Sequence, residues 1–269
     1  MDYVNEMAKT MRIDIIEEVA AAGSGHPGGS LSAADILATL YFDKMKIDPQ
    51  NPKWEDRDRL VLSKGHIAPA LYAALAERGY FPKEALKTLR KSDSFLQGHP
   101  DMKGTPGVDM SSGSLGQGLS IANGMALAGR LDDRDYYVYV ILGDGEIQEG
   151  QVWEAAMSSA HYKLDHVIAF LDFNGLQIDG RNEDVMNVKP VDEKFRSFGW
   201  DVQVIDGHDC HAISKAVDLA KQVKGRPSII ICKTIKGKGV SFMENNAGWH
   251  GTAPNAEQTK QALRELRAI

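Results

Sequence analysis

Tyr136-Tyr137-Val138-Tyr139-Val140-Ile141-Leu142-Gly143-Asp144-Gly145 decides how this chain is read. Residues 136–142 are aromatic, β-branched or Leu throughout, which suits a strand buried on both faces. Gly143 breaks that strand and permits a tight turn. Asp144 is left at its carboxyl end, between two glycines. His166–Leu171 reads as a second buried strand, and Asn174 follows it, thirty positions after Asp144. In an open parallel sheet, ligands bind at the carboxyl ends of strands. Neighbouring parallel strands would therefore carry the Asp144 carboxylate and the Asn174 amide to one edge.

Outward from this pair, strands and helices alternate. Tyr3–Ala22 has Val4, Met7, Met11, Ile15 and Val19 at helical spacing. It runs into Gly23–Gly29, a stretch too rich in glycine for regular structure. Ser32 and Asp35 resemble a capping box for a helix through Leu40. Arg59–Ser63 reads as a short strand, Ala68–Arg78 as a helix, and Phe81–Arg90 as another with Pro82 in its first turn. Met102–Ser114 is a loop, and Leu115–Leu131 is a helix with a small-residue face. Glu149–Tyr162 and Cys210–Val223 are helices, Trp200–Ile205 and Ser228–Cys232 are strands, and Asn255–Arg267 is a last helix. The pattern predicts an α/β fold: a parallel sheet with helices on both faces. There is no repeat and no long linker, so residues 1–269 are expected to form a single domain.

Composition narrows the function. A net charge of −6 gives nothing to draw the protein to nucleic acid or to anionic membranes. Met1–Ala22 carries acidic residues and no long apolar run, so it is neither a signal peptide nor a membrane span. Cys210 and Cys232 lack metal-type spacing and read as reduced, buried thiols, the pattern of a cytoplasmic protein.

Three elements carry chemistry. A carboxylate with an amide oxygen suits Mg²⁺, which takes oxygen ligands and keeps phosphate oxygens in its shell. Gly113-Ser114-Leu115-Gly116-Gln117-Gly118 opens a helix whose first N–H groups would favour phosphate. Close helix packing is the plainer reading of its glycines. Its spacing is not that of a dinucleotide fingerprint, which counts against a nicotinamide enzyme. Finally, His26, His66, His99 and His250 all sit in loops flanked by glycine or proline. Together they suggest one polar site that donates to hydroxyls and passes protons. No two have close ligand spacing, so a zinc site is disfavoured. His161, His166, His208 and His211 lie in or beside regular elements and read as structural.

Gly25-His26-Pro27-Gly28, Ser63-Lys64-Gly65-His66, Gly98-His99-Pro100, Gly116-Gln117-Gly118, Gly143-Asp144-Gly145 through Glu149-Gly150, Asn174, Asp206–Asp209 and His250-Gly251 occur in one order. That order resembles transketolases, from about residue 10 to residue 251. The resemblance implies the diphosphate-binding half of a fold that holds thiamine diphosphate with Mg²⁺, or with Ca²⁺ or Mn²⁺ in its place. It implies metal ligation by Asp144, Asn174 and the Leu176 carbonyl. His66, Gly113, Leu115, Gly116, Asp144, Gly145, Asn174 and His250 would bind the cofactor. His26, His66, His99 and His250 would serve the sugar substrate or the reacting carbon, and Glu149 would lie at the subunit contact near a neighbour's activating carboxylate.

The implied reaction moves a two-carbon ketol unit (glycolaldehyde transfer) from a ketose phosphate to an aldose phosphate, as in the pentose phosphate pathway. Phe173 and Ser114 depart from the family pattern without removing a ligand. Length is the large departure, since family members usually add a pyrimidine-binding and a C-terminal domain. The chain is therefore expected to act only with a partner subunit carrying those domains, as a dimer or an α2β2 heterotetramer. Alternatives are a 1-deoxyxylulose-5-phosphate synthase-like or pathway-specific enzyme, a non-catalytic relative, and a magnesium-dependent phosphatase. Intact ligand positions argue against the non-catalytic relative. A phosphatase would need Asp144 as a nucleophile, not a ligand.

Overall fold

A computed structural model of the protein describes residues 1–268; the expected domain span of 1–269 ends one residue outside them. Helices α1 (Asp2–Ala22), α2 (Pro27–Ser32) and α3 (Ala34–Thr39) precede strand β1 (Arg59–Leu62) and α4 (Ala68–Glu77). Then come α5 (Gly118–Leu131), β2 (Val138–Gly143), α6 (Gly150–His161) and β3 (Val167–Phe173). A small hairpin of β4 (Leu176–Gln177) and β5 (Gly180–Arg181) leads into α7 (Asn182–Val185) and α8 (Val191–Ser197). The chain finishes with β6 (Asp201–Asp206), α9 (Cys210–Gln222), β7 (Ser228–Lys233) and α10 (Ala256–Ala268).

Five strands form one parallel sheet in the order β1-β2-β3-β7-β6. Alternation along each strand sorts side chains to two cores, because successive residues point to opposite faces. Tyr139 and Ile141 of β2, with Ile168 and Phe170 of β3, pack under α1, α3, α4 and α9. Val138, Val140 and Leu142, with Val167, Ala169 and Leu171, pack under α5, α6 and α8. Helices cover both faces, as the apolar strands require. β2 and β3 are adjacent and in register at Gly143 and Asp172. Asp144 and Asn174 thus emerge side by side from neighbouring strands.

Several local expectations change. Ser32 and Asp35 do not form a capping box. Ser32 Oγ donates to the Gly29 carbonyl and to Asp172, while Asp35 pairs with Arg12 and His208. Pro27-Gly28-Gly29 forms the first turn of α2, since proline is pre-organised for that position. Residues 81–90 hold only a 3₁₀ segment, Lys83–Thr88, preceded by an extended Pro82. α5 starts at Gly118, not Leu115, because Gly116 has φ +83°. Both cysteines are free and buried. Among the described residues, no helix is long and apolar enough to cross a membrane.

Candidate active site

A cavity of about 200 Å³ opens at the carboxyl edge of the sheet. It is lined by Asp144, Asn174, Leu176, Leu115, His66 and His250, with Lys64 and Lys236. The Asp144 carboxylate accepts from the Gly145 N–H at 2.9 Å and the Gly175 N–H at 2.5 Å. Two N–H groups orient it and leave further lone pairs for a ligand. Asn174 Oδ1 accepts from the Leu176 N–H at 3.1 Å, and Asn174 Nδ2 lies 3.3 Å from Asp172. Asp172 is a charge at the end of an otherwise apolar strand. Its burial is offset by Lys64, Ser32 and Thr234, which hold it ionised below its usual range. Burial, then the nearby negative Asp172, pushes Asp144 up to about 6.

A magnesium ion bound to a diphosphate fits this edge. A buried carboxylate beside a second anion is relieved by a cation, and the oxygen set of Asp144, Asn174 and Leu176 is the hard-donor type that Mg²⁺ takes. Asn182, on the hairpin's far side, is 3% exposed and stands close enough to favour the ionised Asp144, yet neither atom of its amide makes a well-formed hydrogen bond. Its Oδ1 lies 3.8 Å from where a Cβ on Gly145 would stand. Such an under-satisfied amide beside Asp144 suits an additional polar partner, such as a water on a hydrated cation. Among the described residues, no group of three or more His, Cys, Asp or Glu is placed to hold a metal ion.

The glycine-rich loop is built differently from expectation. The Gly116 N–H donates to Glu146 at 2.9 Å and the Gly118 N–H to Ser63 Oγ at 3.2 Å. Glu146 also takes the Gly143 N–H and Ser63 Oγ. One buried carboxylate thus ties the ends of β1 and β2 to the start of α5, so two N–H groups at that helix start are already occupied. The loop presents Leu115 to the cavity instead. A Cβ on Gly116 would stand 2.7 Å from the Glu149 side chain, so only glycine fits there. Glu149 itself is exposed on the cavity rim.

Three of the loop histidines converge. Ring centroids lie 5.1 Å apart for His26 and His66, 5.3 Å for His26 and His250, and 5.0 Å for His66 and His250. His99 is exposed and packs against Gly113. Burial, followed by Arg90, His99 and Lys236, lowers His26 to about 4, and burial and Lys236 lower His250 to about 3. His66 is likewise held well below its ordinary value, first by burial and then by Lys64. All three rings are neutral at pH 7. By contrast, His208 has both nitrogens engaged, one 2.7 Å from Asp35 and one accepting the Ile235 N–H at 2.8 Å. It is a structural tie between α3 and the segment after β7.

Lys64, Lys236 and Asn182 escape the sequence reading as site residues. The first two left a signal: each follows the carboxyl end of a parallel strand, β1 and β7. Burial, then the like charge of Lys64, brings Lys236 down to about 8.

The sequence matches a family described as the thiamine diphosphate binding domain of transketolase, over residues 3–267. This chain belongs to the transketolase family. It is 51% identical to a 6-deoxy-6-sulfo-D-fructose transketolase subunit of Clostridium sp., covering 98% of this chain and 96% of that one. It is 43% identical to an apulose-4-phosphate transketolase subunit of Phocaeicola vulgatus, over 94% of this chain and 89% of that one. Against the transketolase of Homo sapiens it is 41% identical and spans 42% of that protein. The crystal structure of a Campylobacter jejuni transketolase superposes with a TM-score of 0.93 at 36% identity, covering 99% of this chain and 43% of that one. The transketolase fold of the thiamine diphosphate-binding half is thus present essentially throughout.

Proposed function

We propose that this chain, a single diphosphate-binding domain, is the N-terminal subunit of a split transketolase dependent on thiamine diphosphate and Mg²⁺. It transfers a two-carbon ketol unit between sugar phosphates, in complex with a second polypeptide that supplies the pyrimidine-binding and C-terminal domains. The observation that carries this reading is the shared cavity, in which an Asp144–Asn174–Leu176 oxygen set faces neutral histidines. The naming of two relatives of matching length as transketolase subunits supports the split arrangement. An α2β2 heterotetramer in the cytoplasm is the assembly that this reading favours.

Bound thiamine diphosphate supplies the acyl-anion equivalent that the ketol transfer needs. Asp144, Asn174 and the Leu176 carbonyl would hold the metal ion, which would supply positive charge to the diphosphate. Gly113, Leu115, Gly116 and Gly145 shape the wall beside it. His26, His66, His99 and His250 donate hydrogen bonds to the sugar's hydroxyls and take up protons as its C–C bond breaks and reforms. Exposed Glu149 faces the partner subunit. A second reading concerns the sugar. The two relatives are named for 6-deoxy-6-sulfo-D-fructose and apulose-4-phosphate, so a pathway-specific ketose is tested beside the common ketose phosphates.

Asp144→Ala is expected to weaken thiamine diphosphate binding severely in the assembled enzyme, because two anionic groups lose their metal bridge. Calorimetric titration with and without EDTA reads this. Unchanged affinity in the variant would sink the metal assignment.

A further inference from the structure

His26 and His250 share a feature that burial alone does not explain: each directs Nδ1 at a fixed cation. Arg90 Nη1 donates to Ser24 Oγ at 2.9 Å, and its Nη2 lies 3.5 Å from His26 Nδ1, the outer edge of hydrogen-bond distance. Lys236 Nζ lies 3.1 Å from His250 Nδ1. Arginine and lysine cations carry donors and no acceptor, so Nδ1 can engage either of them only as an acceptor. A neutral imidazole whose Nδ1 accepts carries its proton on Nε2.

Arg90 is held in place at some conformational expense. It has φ +61°, in the left-handed region that costs a bulky residue about 1 kcal/mol or more. Its guanidinium lies against Gly98, where a Cβ would stand 3.1 Å from Arg90 Cζ. Arg90 therefore sits between the Ser24–His26 loop and the Gly98–His99 loop. A residue kept in a sparsely populated conformation beside a polar site points to a role there.

We propose that Arg90 and Lys236 are positioning residues that set the tautomers of His26 and His250, so that each ring presents its Nε2–H to the sugar. The proposal deepens the transketolase reading and rests on it for the identity of the acceptor. The tautomers themselves are a property of this chain. The charged and titratable groups facing His26 are Arg90, His99, Lys236, His66 and His250. Those facing His250 are Lys236, His26, Lys64 and His66.

The test is long-range ¹H–¹⁵N NMR of the full chain labelled at histidine, which reports which ring nitrogen bears the proton. His26 and His250 are expected with Nδ1 bare and Nε2 protonated at neutral pH. Arg90→Met is expected to raise the His26 titration midpoint by about 0.5–1 unit and to mix its tautomers, leaving His250 as it was. Lys236→Met is expected to do the same to His250, with smaller rises at His26 and His66, which Lys236 also faces, and to leave the His26 tautomer as it was. Arg90→Lys, which keeps the charge, is expected to return the His26 midpoint toward the parental value. His208, tied at both nitrogens, reports that each variant is folded. A parental spectrum with Nδ1 protonated on either ring overturns the proposal, whatever the variants do. So does a folded Arg90→Met chain whose His26 titrates as in the parent. Absence of ketol transfer in the assembled enzyme would overturn the functional reading without touching these outcomes.

Discussion

Neutral imidazoles suit proton transfer to and from hydroxyls, and burial keeps His26, His66 and His250 in that form. None of the four is among the side chains that make up the two hydrophobic cores. Alanine at His26, His66, His99 or His250 is therefore expected to leave the melting temperature near the parental value. In the assembled enzyme kcat/KM is expected to fall about 10²-fold or more, the usual size of a lost acid–base contribution. Thermal melts read beside steady-state kinetics separate the two effects. A variant that unfolds instead would make that histidine structural. The convergence of His26, His66 and His250 was anticipated in the sequence because each stands beside chain breakers; His99 lies apart from their cluster. Lys64 and Lys236 were not singled out, because their place after a strand becomes informative only once the sheet order shows which strand ends share an edge.

Helix α1 carries a liability that its amphipathic pattern hides. Glu18 is fully buried, both its oxygens lack hydrogen-bond partners, and Asp14 sits one turn away. Burial, then repulsion from Asp14, raises the Glu18 carboxyl well above its ordinary 4.5. A carboxyl whose folded value is raised contributes stability below its unfolded value, and loses it as pH rises through the folded one. At pH 8, well above the unfolded value, this preference for the neutral form costs stability. Glu18→Met is thus expected to raise stability by about 1–3 kcal/mol at pH 8, the cost of a buried unsatisfied polar group. That gain should vanish below about pH 4, where the carboxyl is neutral in both states. Denaturant titrations at the two pH values check this. An equal effect at both would show that packing, not charge, governs the site. Elements with strong periodicity, α1 and the central strands, were legible. Residues 81–90 and 115–117 were not, because Arg90 and Gly116 take positive φ for contacts with distant loops.

At the scale of the molecule, the cavity stands at an open edge where Glu149 and His99 are exposed. If thiamine diphosphate sits at that edge as proposed, its proton transfers would need a wall that excludes water. The chain alone is expected to show no ketol transfer, and full turnover is expected when the partner subunit is added. Assays before and after addition, with mass spectrometry of the preparation, measure this. Turnover by a preparation with no second polypeptide would refute the split-enzyme reading and require an activating carboxylate within this chain.

The chain's own pattern determined the parallel sheet, its two-sided cover of helices and the pairing of Asp144 with Asn174. Each follows from local rules: apolar runs bury both faces, and a turn after a strand lands at its carboxyl end. Only the tertiary structure decided that His26, His66 and His250 meet within about 5 Å, although positions 26 and 250 are far apart in the chain. It also decided that Glu146 takes up the N–H of Gly116, and that Arg90 and Lys236 stand at Nδ1 of two histidines. The physical reason is the same in each case. Hydrogen bonding and burial depend on which loops the sheet order brings together, and no periodicity in the sequence encodes that order.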